Sequence, residues 1–171
     1  SHYLAKFASL TRATLEYSAE DVIALSDEIA MLQNYMELEQ MRKPNKFQFE
    51  IIYDEDLETD FIKVPPMLVQ PFVENAIKHG LLHKAGHKKV NVSFHEKENL
   101  ICVVEDNGIG RVAAAKIKAR QSEAYQSFSV NATKNRFDIM KSHYKLDLKL
   151  QYIDSEEGTK VIIHIPYQKE F

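Results

Sequence analysis

One segment, Pro65–Gly80 with the sequence PPMLVQPFVENAIKHG, constrains this chain more than any other. Its paired prolines are excluded from a helix interior but suit a first turn. Gly80 is a good helix stop, and Lys78 with His79 stands in the last turn, where cations are favoured. Leu68, Phe72 and Ala76, with Val69, Val73 and Ile77, recur at helical spacing. The spacing predicts one helix over 65–80 that buries a broad apolar stripe. Glu74 and Asn75 interrupt that stripe. A polar pair here is either a solvent face with a satisfied amide, or a sign that Asn75 is a ligand for a metal or a phosphate.

The flanking sequence supplies the rest of the architecture. Residues 3–18 place Leu4, Phe7, Ala8, Leu10 and Leu15 at helical spacing. A second helix is expected from Ser26-Asp27-Glu28, a capping residue followed by two acids that the helix dipole favours, to about Arg42. Its apolar line runs through Ile29, Leu32, Tyr35 and Met36, and Pro44-Asn45 ends it. Lys46–Asp54 alternates through Phe47, Phe49, Ile51 and Tyr53, a strand pattern, and Phe61–Val64 is a short strand. Lys89–His95 and Leu100–Glu105 form a hairpin about Glu96–Asn99, and the second strand, apolar on both faces, belongs at the sheet centre. Helices are expected over 111–125 and 132–144, and strands over 146–153 and 159–166. The fold class is α+β: a two-layer sandwich with helices on one face of a mixed sheet, preceded by two amphipathic helices. We divide the chain into a helical region, 1–44, and an α+β domain, 45–171. The two leading helices could pack on that domain or pair with a second chain, and periodicity leaves both open.

Composition removes several function classes. Acidic residues number 25 and basic residues 22, with the signs interspersed, so no basic stripe for nucleic acid is expected. The single cysteine, Cys102, lies in the apolar run LICVV and reads as core; it cannot form an internal disulfide. No apolar run approaches the roughly 18 residues of a membrane span, and no signal peptide is visible.

The second informative stretch is Asp106-Asn107-Gly108-Ile109-Gly110. Alone it is turn chemistry. As a site, it would hold Asp106 at a strand end to accept a hydrogen bond from an exocyclic amine, with Gly108 and Gly110 letting backbone approach a flat ring. It is neither a P-loop nor a complete dinucleotide fingerprint.

Taken together, Asn75-Ala76-Ile77-Lys78-His79, Asp106-x-Gly108-x-Gly110 and Gly158-Thr159 resemble the N box, G1 box and Gly-Thr element of the GHKL (Bergerat) ATP-binding fold. Tyr35-x-x-Leu38-Glu39-x-x-Arg42, the Pro65–Gly80 segment and Gly158-Thr159-x-Val161-x-Ile163-x-Ile165-Pro166 narrow the resemblance to LytS/YehU-type sensor histidine kinases. It covers essentially the whole chain, and the Pro-Pro to His-Gly segment is its most specific part. The resemblance implies ATP and Mg²⁺ as cofactors. It assigns Asn75 to the metal, Lys78 to the phosphates, His79 to the pocket wall, Asp106 and Thr159 to the adenine amine, and Gly108 and Gly110 to the adenine and ribose side. A single neutral ligand is compatible with Mg²⁺, which keeps several waters.

Three departures qualify it. The family's Asn-Pro-His-Phe phosphoacceptor motif is absent, so transfer is expected to a histidine outside residues 1–171, followed by relay to a response regulator. The glycine-rich lid box is replaced by Ser127-Phe128-Ser129-Val130, where Ser127 and Ser129 are the remaining phosphate donors. ATP-hydrolysing relatives carry a Glu one turn before the metal Asn, where this chain has Pro71. Glu74 points about 100° away around the helix, with an assisting role left to it. The family further implies a homodimer through the N-terminal helices and a cytoplasmic position below a bacterial inner membrane. The competing reading is a non-catalytic dimerisation or partner-binding module with a degraded nucleotide pocket.

Overall fold

The computed structural model describes residues 1–42, 46–120, 135, 137–139, 141–143, 145 and 147–169. Two helices open the chain: α1 over His2–Ser18 and α2 over Leu25–Met41, the short strand β1 (Ile23–Ala24) lying between them. There follow β2 (Gln48–Tyr53), β3 (Ile62–Val64), α3 (Gln70–Asn75), a π-helical segment Ala76–Leu81, the hairpin β4 (Lys89–Glu96) and β5 (Leu100–Asp106), α4 (Arg111–Lys118), and β6 (Lys149–Ser155), β7 (Gly158–Ile165) and β8 (Gln168–Lys169).

The main sheet has the order β2-β4-β5-β7-β6. Only β2 and β4 pair in parallel, with Phe49 opposite Val90 and Ile51 opposite Val92, so the sheet is mixed. β5 is central, as its two-sided apolar character requires, antiparallel to both β4 and β7. Alternate residues of these strands, among them Val90, Val92, Phe94, Cys102, Val104 and Ile163, join Leu68, Phe72, Val73 and Ile77 in one core. Leu25, Leu32, Tyr35 and Met36 of α2 enter the same core. The second helix therefore packs on the α+β unit. α1 buries none of its side chains, and Leu4, Phe7 and Leu15 are exposed. It is joined to α2 by an ion pair between Lys6 and Glu37.

Three sequence expectations change. The helix expected from Pro65 begins at Gln70, with Pro71 in its first turn. Met67 takes a left-handed φ of 58°, which no helix accommodates. At the other end Gly80 is no stop: the helix widens to π geometry and runs through it to Leu81. Thirdly, α2 starts at Leu25 without a side-chain cap, so Ser26 does not serve as one. Glu28, expected as a first-turn acid that the helix dipole favours, is 1% exposed and accepts hydrogen bonds from the backbone N–H of Met67 (2.9 Å) and Val69 (3.5 Å). In the small second sheet, β1-β3-β8, only β3 was expected; β1 and β8 went unseen because two-residue strands carry no readable period.

Candidate functional site

A cavity of about 730 Å³ lies between the helical layer and the sheet, the size of a small-molecule pocket. Phe72, Asn75, Ala76 and His79 wall it from the helix, Val104, Asp106, Thr159 and Val161 from β5 and β7, and Leu150, Tyr152 and Asp154 from β6. Gly110 and Arg111 close one side. The walls thus combine an apolar body with a few convergent polar groups.

The deepest polar group is Asp106, the last residue of β5, 8% exposed and opposite Thr159 on β7. Its Oδ1 accepts the Gly108 N–H at 2.9 Å, and the Thr159 N–H also bonds to it. Burial pushes its pKa up to about 6; the charges of Glu105 and Asp154 add to the rise, and the two N–H bonds oppose it.

Three glycines let the chain close around this carboxylate. A Cβ at Gly80 would lie 2.6 Å from Asp106 Oδ1, and one at Gly108 would lie 2.0 Å from the Gly80 carbonyl oxygen. One at Gly158 would lie 1.9 Å from the Asp106 carbonyl oxygen. The Gly80 carbonyl accepts the Ile109 N–H at 3.0 Å. The helix therefore passes through Gly80 because the Asp106–Gly110 turn takes up its carbonyl, and π geometry, frequent at functional sites, carries it there. Gly108 is demanded by the protein's own backbone; it is not among the residues that wall the cavity. Gly110 has φ 81° and faces the Ser155 carbonyl, which a Cβ would meet at 2.5 Å.

Asn107, read only as a turn residue, pins the turn to β4. Its side-chain oxygen accepts the Lys89 N–H at 2.7 Å and its amide donates to the His87 carbonyl at 2.9 Å.

Of the nine sequence candidates for the nucleotide site, the fold brings Asn75, His79, Asp106, Gly110 and Thr159 onto the cavity wall. Lys78 is exposed and outside that wall. Glu74 is half-buried, accepts a hydrogen bond from Gln70 at 3.2 Å and does not line the cavity. Ser127 and Ser129 lie outside the described residues.

The sequence reading missed a cluster at the rim. The Arg111 guanidinium lies 4.1 Å from the Tyr152 ring centroid, a cation–π distance, and 3.3 Å from an Asp154 carboxylate oxygen. Tyr152 and Asp154 share one face of β6, but the strand expected from the sequence stopped at 153, and nothing local aimed Arg111 at them. Phe137 packs edge-on against Phe72, centroids 6.1 Å apart, and closes another side.

Two buried carboxyls consequently titrate near neutrality: Asp106 at about 6 and Glu28, which burial pushes up to about 7. Both values are raised above the unfolded ones, so the folded state holds more protons and stability is lost as pH rises through 6–7. Between pH 5.5 and 7.5 the two groups together remove on the order of 2–3 kcal/mol. A thermal melt series over that range is expected to show Tm falling, and Glu28→Gln should flatten the trend. A Tm that rises across the range contradicts the assignment.

Comparison with known proteins decides the family. The family described as histidine kinase-, DNA gyrase B- and HSP90-like ATPase matches residues 66–169, the part that carries every cavity-lining residue. The chain belongs to that ATPase family. A second family, histidine kinase, matches residues 1–47. Sensor protein LytS of Staphylococcus haemolyticus is 29% identical over 166 residues, covering 95% of this chain and 28% of its own. The LytS-type resemblance of the sequence is thereby borne out, and the chain spans just over a quarter of that relative. Among solved structures, the histidine kinase domain of the Erythrobacter litoralis blue-light activated histidine kinase superposes with TM-score 0.58 at 16% identity, over 96% of this chain and 74% of the other. Histidine kinase ThkA in complex with the response regulator protein TrrA gives 0.51 at 18% identity, over 95% and 48% of the respective chains. These likenesses establish the ATPase fold, a two-layer arrangement with helices over a mixed sheet.

Proposed function

We propose that this chain is the ATP-binding and catalytic part of a two-component sensor histidine kinase, which passes the γ-phosphoryl group of ATP to a histidine outside residues 1–171. One observation carries the reading: a cavity of nucleotide size with a buried carboxylate at its floor and Asn75 and His79 on its helical wall. Asp106 offers its remaining lone pairs to an exocyclic amine while Gly108 and Thr159 hold it in place. Val104, Ala76 and Val161 supply apolar faces for a flat base.

Among the described residues no cluster of three His, Cys, Asp or Glu side chains is placed to hold a metal ion. The donor set fits Mg²⁺ carried in by the phosphates, with Asn75 as the protein ligand. Such an ion would neutralise charge on the transferring phosphoryl group. Lys78 is exposed and does not line the cavity, so its assignment to the phosphates rests on the family resemblance alone.

Transfer is favoured over hydrolysis. Pro71, four residues before Asn75, is buried and cannot activate water, and Glu74 is turned away from the cavity. A response regulator as the eventual acceptor rests on the ThkA–TrrA complex. A homodimer rests on the exposed apolar side chains of α1. No helix among the described residues is long and apolar enough to cross a membrane; attachment through segments upstream of residue 1 rests on the LytS likeness alone.

Mg-ATP titrated into this chain should bind with a Kd in the micromolar to millimolar range, on the order of −4 to −8 kcal/mol. Absence of binding would favour the non-catalytic module. In a longer protein that includes the acceptor, incorporated phosphate should be acid-labile; acid-stable phosphate on Ser or Thr contradicts histidine phosphorylation.

A further inference from the structure

The loop between β3 and α3 is held by a residue from the far N-terminal part of the chain. Pro65 and Pro66 have no N–H to donate, and Met67 sits at φ 58°, a conformation that a side chain disfavours. Such a turn persists only where its surroundings over-determine it. Here the determinant is Glu28 of α2. Its carboxylate, 1% exposed, accepts the N–H groups of Met67 and Val69. Gln70, the next residue, begins the helix that carries Asn75 and His79 into the cavity. Further along α2, the Tyr35 hydroxyl is buried without a hydrogen-bond partner among the described residues, within electrostatic reach of Glu74 on α3. α2 thus makes one strong polar tie just before the start of α3.

We propose that Glu28 is a positioning residue for the nucleotide helix: by clamping the Met67–Val69 backbone it fixes where α3 begins, so that the placement of α2 and nucleotide binding at Asn75 are energetically coupled. The proposal rests on the ATP-binding reading for its ligand but not for its mechanical content. A buried carboxylate with two backbone donors is a stiff link, because losing it leaves those N–H groups unsatisfied in the core. Any shift of α2 along its axis then either breaks the link or moves the start of α3. Among the described residues, no such link ties α1 to the cavity.

The experiment uses the 171-residue chain with two readouts: amide hydrogen exchange of the ligand-free protein and titration with Mg-ATP. Glu28→Ala is expected to speed exchange over 70–81 by about tenfold or more while β4 and β5 stay protected. It should also raise the ATP Kd by about tenfold. Glu28→Gln keeps one acceptor at the same reach and should restore both readouts to near the wild-type values. Leu100→Ala, a core truncation at the end of β5 remote from Asp106, should lower Tm without changing the Kd. A folded Glu28→Ala with unchanged exchange over 70–81 overturns the proposal. So does a Leu100→Ala variant that weakens ATP binding as much as Glu28→Ala. Should Glu28→Ala fail to fold, Glu28→Asp, one methylene shorter, takes its place, and unaltered exchange and Kd in that variant overturn the proposal equally. If the wild type binds no nucleotide, the ATP reading fails and the exchange arm alone decides the clamp.

Discussion

Asp106→Asn is expected to lower Mg-ATP affinity by about 100-fold, close to 3 kcal/mol, while leaving the empty protein as stable as before or more stable. The two halves of this result have one cause. The carboxylate lies 8% exposed at the cavity floor, and burial raises its pKa to about 6, so holding it ionised at neutral pH is unfavourable in the absence of ligand. The amide removes that charge yet keeps an oxygen for the Gly108 N–H, which bonds at 2.9 Å. What it loses is an acceptor facing the cavity: the amide's NH₂ presents donors to an amine that is itself a donor. A site built around one hydrogen-bond polarity discriminates strongly against the opposite one. Isothermal titration paired with a urea melt tests both halves together. A variant that binds ATP like the wild type removes Asp106 from the base-reading role. One that loses affinity and several kcal/mol of stability makes Asp106 a structural residue first.

Gly108→Ala is expected to destabilise the fold by more than about 4 kcal/mol, against about 1 kcal/mol for Gly86→Ala. Gly86 has φ 83°, so alanine there is conformationally strained, but its Cβ would meet nothing within 4 Å. At Gly108 the Cβ would lie 2.0 Å from the Gly80 carbonyl oxygen and 2.3 Å from its carbon. Neither backbone can yield, because the same Gly80 carbonyl already accepts the Ile109 N–H. The contact belongs to a π-helical segment pressed on a turn, and separating them opens the cavity floor. Gly80→Ala differs instructively. Its Cβ would strike the Asp106 carboxylate, 2.6 Å away, so the damage falls first on the binding residue and only then on the fold. Chemical denaturation of the three variants orders them; a Gly108→Ala protein with wild-type midpoint and slope contradicts the close approach.

Much of the site was legible before folding was considered. Asn75 and Asp106 could be named because a polar residue in an apolar stripe and a Gly-rich turn after a buried strand are local anomalies; His79 and Thr159 were named only through the family resemblance. The central place of β5 followed from its two-sided apolar run. The rim of Arg111, Tyr152 and Asp154 was not legible, since Arg111 and Asp154 are 43 residues apart and meet through strand pairing. Lys78 shows the opposite failure: it is adjacent in sequence to a cavity-lining residue and still exposed, because the helix widens from Ala76 onward and changes which side chains share a face.

By itself, the sequence determined the elements whose signal is periodic, namely the leading helices, the hairpin and the sheet centre, and it marked the two motifs that wall the cavity. The tertiary structure decided what those motifs mean. Pro65–Gly80, read as one helix from its prolines to its glycine, is a clamped turn, a short α-helix and a π-helical segment. Glycine's freedom and glutamate's charge look alike wherever they occur in a sequence. Only packing sets Gly80 so close to Asp106 that an added Cβ would lie 2.6 Å from its carboxylate, and brings Glu28 within hydrogen-bond reach of Met67. There the missing Cβ and the buried carboxylate acquire their roles, because steric exclusion and desolvation act between residues distant in the chain.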